Sequence, residues 1–147
     1  MNPVLRLTLC IALLSACGCG KKIEQIGGVS GKTEVAGAPL PAGTQITFYK
    51  TESDINSFSV RVDQNGNYQY KPAVGVPVAL GKYKVTLTPP QAPVIEQNGM
   101  SIPDPNWKEV KPSFEEKYQK KETTPLEVSL TNEPTVFDIQ ISDSATK

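Results

Sequence analysis

Histidine is absent from the 147 residues of this chain. That absence removes the commonest general base and the commonest protein ligand for zinc. Serine–histidine and cysteine–histidine catalysis are excluded outright. Cysteine occurs three times, at Cys10, Cys17 and Cys19, all near the start, so the body of the chain must fold without a disulfide. Tryptophan occurs once, at Trp107. An excess of either charge is lacking as well, with 15 Lys and Arg against 15 Asp and Glu. Basic residues form no block beyond Lys21-Lys22 and Lys120-Lys121, so the electrostatic footprint of nucleic-acid binding is missing. The apolar run at residues 7–16 is too short to cross a bilayer as a helix, which needs about 20 residues.

That run is nevertheless the first informative feature present. It follows Arg6 and closes on Leu14-Ser15-Ala16-Cys17, the pattern of a secretory signal whose cleavage site is a lipobox. Cys17 is the candidate lipidation site: its thiol takes a diacylglyceryl thioether, and cleavage before it frees an amine for a third acyl chain. Each buried methylene contributes about 0.8 kcal/mol, and two or more chains hold a protein on a membrane where one gives only marginal binding. Cys10 leaves with the signal. Cys19 is then a free thiol beside the membrane or a link between molecules. Residues 1–16 are accordingly read as signal peptide, 17–27 as a glycine-rich tether reaching about 18 Å, 28–142 as one folded domain and 143–147 as a tail.

Within the domain the hydrophobic pattern has period two. Ile46 and Phe48, then Phe58, Val60 and Val62, then Tyr83, Val85 and Leu87 alternate with polar residues. Leu126, Val128 and Leu130, and finally Phe137, Ile139 and Ile141, continue it. Such alternation predicts strands with one buried and one wet face, and short strands between turn signals predict an antiparallel sandwich or barrel. Asn65-Gly66 suits a type I′ hairpin turn; that role accounts for Asp63-Gln64-Asn65-Gly66-Asn67 better than a calcium loop, whose glycine and glutamate positions do not match. Tyr68 and Tyr70 share a strand face, which predicts cross-strand packing ahead of a binding platform.

Residues 89–124 break the rhythm. They hold Pro89, Pro90, Pro93, Pro103, Pro105 and Pro112 together with Trp107, and loops of this length are often functional. Ser113 and Glu116 have capping-box spacing, which predicts a short helix over residues 114–121. Trp107 and Tyr118 are the candidate partner contacts. Asp104, Glu109, Glu115 and Glu116 are the candidate carboxylates for glycan hydrolysis, which needs two such groups facing each other across a cleft. Neighbouring carboxylates on a polar surface are more simply solvated.

Taken in order, Val29-Ser30-Gly31-Lys32, Ala38-Pro39-Leu40-Pro41-Ala42-Gly43-Thr44, Asp63 through Tyr68, Gly81-Lys82-Tyr83-Lys84-Val85, Glu116-Lys117-Tyr118 and Thr123-Thr124-Pro125-Leu126 form a recognisable series. The chain resembles small planctomycete lipoproteins with a carboxypeptidase-regulatory-like, or transthyretin-like, domain. The resemblance implies an all-β, seven-stranded antiparallel β-sandwich (transthyretin-like or immunoglobulin-like) with one long proline-rich loop carrying a short helix. It implies no catalytic residue, cofactor or metal, since the histidines of the related transthyretin-like hydrolases are absent here. The functional expectation is a membrane-anchored, periplasm-facing module of the bacterial cell envelope, binding an envelope protein or glycan without catalysis and without nucleic acid. The alternatives are a carboxylate-based glycan hydrolase or an accessory subunit of an envelope complex.

The anchor is directly testable. Cys17→Ala should move the protein from the membrane fraction to the soluble fraction or leave it as uncleaved precursor. Intact-mass measurement of the mature wild-type protein should show acylated Cys17; an unmodified Cys17 would reject the lipobox.

Overall fold

Period-two alternation becomes eleven short strands in the computed structural model, which describes residues 25–53, 57–73, 76 and 78–142. The signal segment 1–16, Cys17, Cys19, the tether up to residue 24 and the tail 143–147 lie outside the described residues. The strands are β1 (Val29–Val35), β2 (Ala38–Pro39), β3 (Gln45–Lys50), β4 (Phe58–Arg61), β5 (Asn67–Tyr70) and β6 (Gly81–Thr88). They continue with β7 (Val94–Gln97), β8 (Met100–Pro103), β9 (Glu127–Leu130), β10 (Thr135–Val136) and β11 (Ile139–Ile141). The chain is thus nearly all-β, but the expected seven strands are exceeded. The last expected strand is divided at Phe137-Asp138, and β7 and β8 arise within the proline-rich region.

Two sheets carry the core. One has the order β4-β3-β6-β9 and is antiparallel throughout. The other is built around β1, with β5 and β2 on one side and β10 and β11 on the other. Here the purely antiparallel expectation fails, because β1 runs parallel to both β10 and β11. Parallel partners need a long connection between them, and here almost the whole domain supplies it.

The inward residues of the alternation meet between the sheets. Ile46, Phe48, Tyr83, Val85, Leu87 and Ile139 are fully buried, and Val62, Leu130 and Ile141 nearly so. Val60, Leu126, Val128 and Phe137 pack against this core while remaining partly exposed. A chain of rings joins the layers. Phe48 stacks on its cross-strand partner Phe58 at 4.6 Å, Phe58 stacks on Tyr70 of the opposite sheet at 4.2 Å, and Phe48 meets Tyr68 at 6.3 Å. Each such pair contributes about 0.5–1.5 kcal/mol beyond its buried area. Tyr68 and Tyr70 are therefore spent on packing.

Gly31 fixes the five-stranded sheet. It lies opposite Tyr68, and a Cβ placed on it would sit 2.1 Å from the carbonyl oxygen of Phe137. The vacant space lets Phe137 press against β1, where its N–H donates to the Ser30 carbonyl at 2.8 Å. The Tyr68 hydroxyl reaches past Gly31 to donate to the Phe137 carbonyl. Burial, with the negative charge of Asp138 adding to it, pushes the Tyr68 phenol well above its ordinary pKa, so it stays a donor. Asp138 in turn accepts from the Lys32 N–H at 2.8 Å.

The Asn65-Gly66 turn differs from the expected hairpin. Its flanking strands β4 and β5 belong to different sheets, so the turn is a corner between layers. Only Gly66 of the pair has positive φ, at 77°. With Gly66 N–H donating to the Asp63 carbonyl at 3.2 Å and Asp63 N–H to the Asn67 carbonyl at 2.8 Å, the geometry is a type I turn followed by a left-handed glycine. The Asp63 carboxylate accepts from the N–H groups of Asn65 and Asn67, both at 2.8 Å.

Those observations fix three expected outcomes. Gly31→Ala, at an ordinary strand φ, should cost about 1–3 kcal/mol through the clash with Phe137, and an unchanged melting temperature would remove Gly31 from its assigned role. Ile139→Ala should cost about 2–5 kcal/mol, and the partly exposed Val60 less, as read by denaturant unfolding. The two backbone donors, Asn67 first, hold the Asp63 carboxyl below its ordinary pKa. Its stabilisation is therefore present above the unfolded-state value and lost as pH falls through the lower folded one. Wild type should melt above Asp63→Ala near neutral pH and lose that lead on acidification below about pH 4; a lead that persists in acid would refute the linkage.

Candidate functional site

Strand β6 ends where Pro89 and Pro90 follow Thr88, since neither proline can donate to a ladder. Pro90 is buried beside Gly43. The chain then leaves the body as the β7–β8 hairpin, with register Val94↔Pro103 through Gln97↔Met100. Its turn is Asn98-Gly99, with φ of 54° and 76°, the two positive values of a type I′ turn. Asp104 closes the base of this arm, its N–H donating to the Pro93 carbonyl at 2.8 Å. The Asp104 carboxylate accepts from the Asn106 N–H at 2.9 Å, and its carbonyl accepts from the Trp107 N–H at 3.1 Å. That turn brings Trp107 back over the root of the arm.

The result is a cleft of about 520 Å³ between the arm's root and one end of the four-stranded sheet. Residues 89–94 and Trp107 form one wall, and Gly43, Gln45 and Arg61 the other. Trp107 is 37% exposed. Gln45 and Arg61 are cross-strand partners on the outer face of their sheet, where Gln45 Nε2 donates to the Ser59 hydroxyl at 3.1 Å and that hydroxyl lies 2.9 Å from Thr47 Oγ1. Arg61 is exposed and makes no ion pair among the described residues. No carboxylate lines the cleft.

Position along β6 orients the cleft. Gln25 bridges to Ala79, just before β6 begins, whereas Gln45 pairs with Thr88 at its far end. Eight residues of strand separate the two ends, roughly 23 Å. The cleft and the start of the described chain are at opposite poles.

The other candidates fare differently. Tyr118 is buried, only 6% exposed, and belongs to the core, which withdraws it from any partner surface. Phe114 is buried with it. The expected helix over 114–121 is a single 3-10 turn, Glu116–Gln119, with no side-chain cap from Ser113. An isolated helix this short is marginal, and the segment is instead drawn flat onto β6, where the Thr124 hydroxyl donates to the Val85 carbonyl at 2.6 Å. Glu115 pairs with Lys117 at 3.1 Å and Glu116 with Lys120 at 2.5 Å; these neighbours hold the Glu116 carboxyl below its ordinary range and the Lys120 amine above its own. Glu109 is exposed. None of the four carboxylates lines the cleft. Among the described residues no group of three or more Cys, Asp and Glu is placed to hold a metal ion, and no helix is long and apolar enough to cross a membrane.

Arg61, Gln45 and Gln91 were not foreseen as site residues. Arg61 stands out in the alternation only as an outward residue, and nothing local announces that residues 89–94 fold back beside it. The arm was foreseeable, since Asn98-Gly99 is the strongest short hairpin signal there is.

No protein-family model matches the chain, and no curated protein matches it. Among solved structures it is similar to BcpA, the major pilin subunit of Bacillus cereus, at 12% identity and a TM-score of 0.41, with 80% of this chain and 30% of that chain covered. A variant of the same subunit gives 12% identity and a TM-score of 0.43, with 82% and 30% covered. The chain thus spans under a third of the length of either neighbour, and at these scores the likeness assigns no function.

Proposed function

We propose that this chain is a lipid-anchored β-sandwich of the transthyretin-like kind in the bacterial cell envelope, binding a partner without catalysis through the Trp107 cleft. The observation that carries the reading is the cleft itself: a half-exposed tryptophan and a guanidinium that makes no ion pair among the described residues line it together, with no carboxylate among the lining residues. Glycoside hydrolysis needs two carboxyl groups across the scissile bond; Asp104 is engaged in the turn at the base of the arm, and Glu115 and Glu116 are in surface ion pairs elsewhere. Anchoring at Cys17 through a short tether puts the start of the domain at the membrane and the cleft roughly 23 Å farther out, the length of β6. A site facing away from the lipid suits a partner in the envelope layer beyond it.

Trp107→Ala separates this reading from a structural role. The full-length lipoprotein, extracted in detergent, is mixed with detergent-washed envelope material and sedimented. Wild type should cosediment, and Trp107→Ala should lose most of that retention with an unchanged melting temperature. Equal retention of both proteins would reject the cleft as the binding site; a large drop in melting temperature would make Trp107 structural.

A further inference from the structure

We infer that the cleft binds a carboxylate-bearing sugar, with the apolar face of the pyranose on Trp107 and its carboxylate on Arg61. The inference rests on the reading of the cleft as a binding site and adds the chemistry of its ligand. The geometry separates two kinds of recognition. On one wall, Trp107 and the prolines at 89, 90 and 93 offer a rigid apolar surface; a half-exposed aromatic ring there presents a π face whose quadrupole attracts the weakly positive C–H groups of a sugar ring. On the other wall, Arg61 and Gln45 belong to a regular ladder pair and are positioned by the sheet. Gln45 is further held by its bond to the Ser59 hydroxyl, and Gln91 adds an exposed amide opposite.

Charge decides the class. Two lysines elsewhere are neutralised by ion pairs, Lys117 with Glu115 and Lys120 with Glu116. Arg61 makes no ion pair among the described residues, and no Asp or Glu is among the cleft's lining residues, so the lining carries one positive charge and no negative one. A guanidinium presents a planar fork that matches a carboxylate with two parallel hydrogen bonds. Amides at Gln45 and Gln91 supply the donors and acceptors that hydroxyl or acetamido groups require. A neutral sugar would leave Arg61 unused, and a purely apolar partner would bury it unpaired at a cost.

The test uses the single tryptophan as its reporter, since all indole emission comes from the cleft. Full-length mature lipoprotein in detergent micelles is titrated with two matched pairs. One is N-acetylglucosaminyl-N-acetylmuramic acid against neutral diacetylchitobiose; the other is trigalacturonic acid against its methyl ester. At least one acidic member should shift the emission saturably, and its neutral counterpart should bind about tenfold more weakly or worse. Arg61→Gln should weaken that acid about tenfold or more, as loss of a charged hydrogen bond does, with an unchanged melting temperature. Trp107→Ala, read by calorimetry, should abolish binding. Equal binding of acid and neutral partner, indifference to Arg61→Gln, or no binding of either acid would overturn the sugar-acid assignment. A tripeptide with a free terminal carboxylate that binds where both acids fail would overturn it in favour of a peptide. Envelope cosedimentation that still depends on Trp107 would then show that the binding site stands and only its ligand chemistry is wrong.

Discussion

A side chain at position 31 would lie 2.1 Å from the Phe137 carbonyl oxygen, and from that one exclusion most of the five-stranded sheet follows. With glycine there, the returning chain can press against β1, interrupt the ladder at Phe137-Asp138 and resume parallel pairing at Ile139 in the same register. At the interruption the Phe137 carbonyl accepts instead from Tyr68, whose hydroxyl reaches it from the opposite side of β1. Three strands distant in sequence are thereby tied at one point. Because β1 and the final strands enclose almost the whole domain between them, this contact closes the largest loop in the fold. Loop closure costs entropy that grows slowly with length, so a well-satisfied clamp at the closure point is where a small domain without disulfides gains most from hydrogen bonding.

Much of the four-stranded sheet was legible because its apolar residues all lie on one face, even though Thr47 and Thr86 on the other face are buried too. Ile46, Phe48, Tyr83, Val85 and Leu87 follow strict alternation, and all are fully buried. At the margins the same rule overstates: Val60, Leu126 and Val128 lie on the inward face yet near edges β4 and β9, and remain partly exposed. Pairing partners were not legible, since alternation fixes which face is buried and says nothing about which strand lies alongside. The parallel β1–β10 and β1–β11 pairs and the corner at Asn65-Gly66 are both facts of pairing. Turn type was missed there for a related reason. Asn-Gly tolerates positive φ at both residues, but the Asp63 carboxylate holds the backbone of Asn65 and Asn67 in a different turn.

The proline-rich region divides into two parts with different energetics. Residues 113–124 are structural: Phe114 and Tyr118 enter the core, and the Thr124 hydroxyl caps the Val85 carbonyl. This strip runs beside β6 before the chain enters β9, and it consumes two of the aromatics that a loop-only reading would leave free. Residues 94–103 are an arm. Val94 and Met100 are exposed, and a two-stranded hairpin alone is marginal in water. Its Asn98-Gly99 turn and the Glu96–Ser101 side-chain bond at 2.5 Å supply local order, while Asp104 fastens its base.

The site residues were only half legible for the same reason. Trp107 could be picked out because it is unique in the chain and sits among prolines. Its partner wall could not, because Gln45 and Arg61 lie 62 and 46 positions away in sequence and are ordinary outward residues of two strands. What joins the walls is the end of β6: the register that sets Gln45 against Thr88 also delivers Pro89 and Pro90 to the mouth of the cleft. The same strand separates that mouth from the Gln25 bridge, so one element both builds the cleft and holds it away from the start of the described chain. A ligand group reaching Arg61 must enter from the pole remote from Gln25.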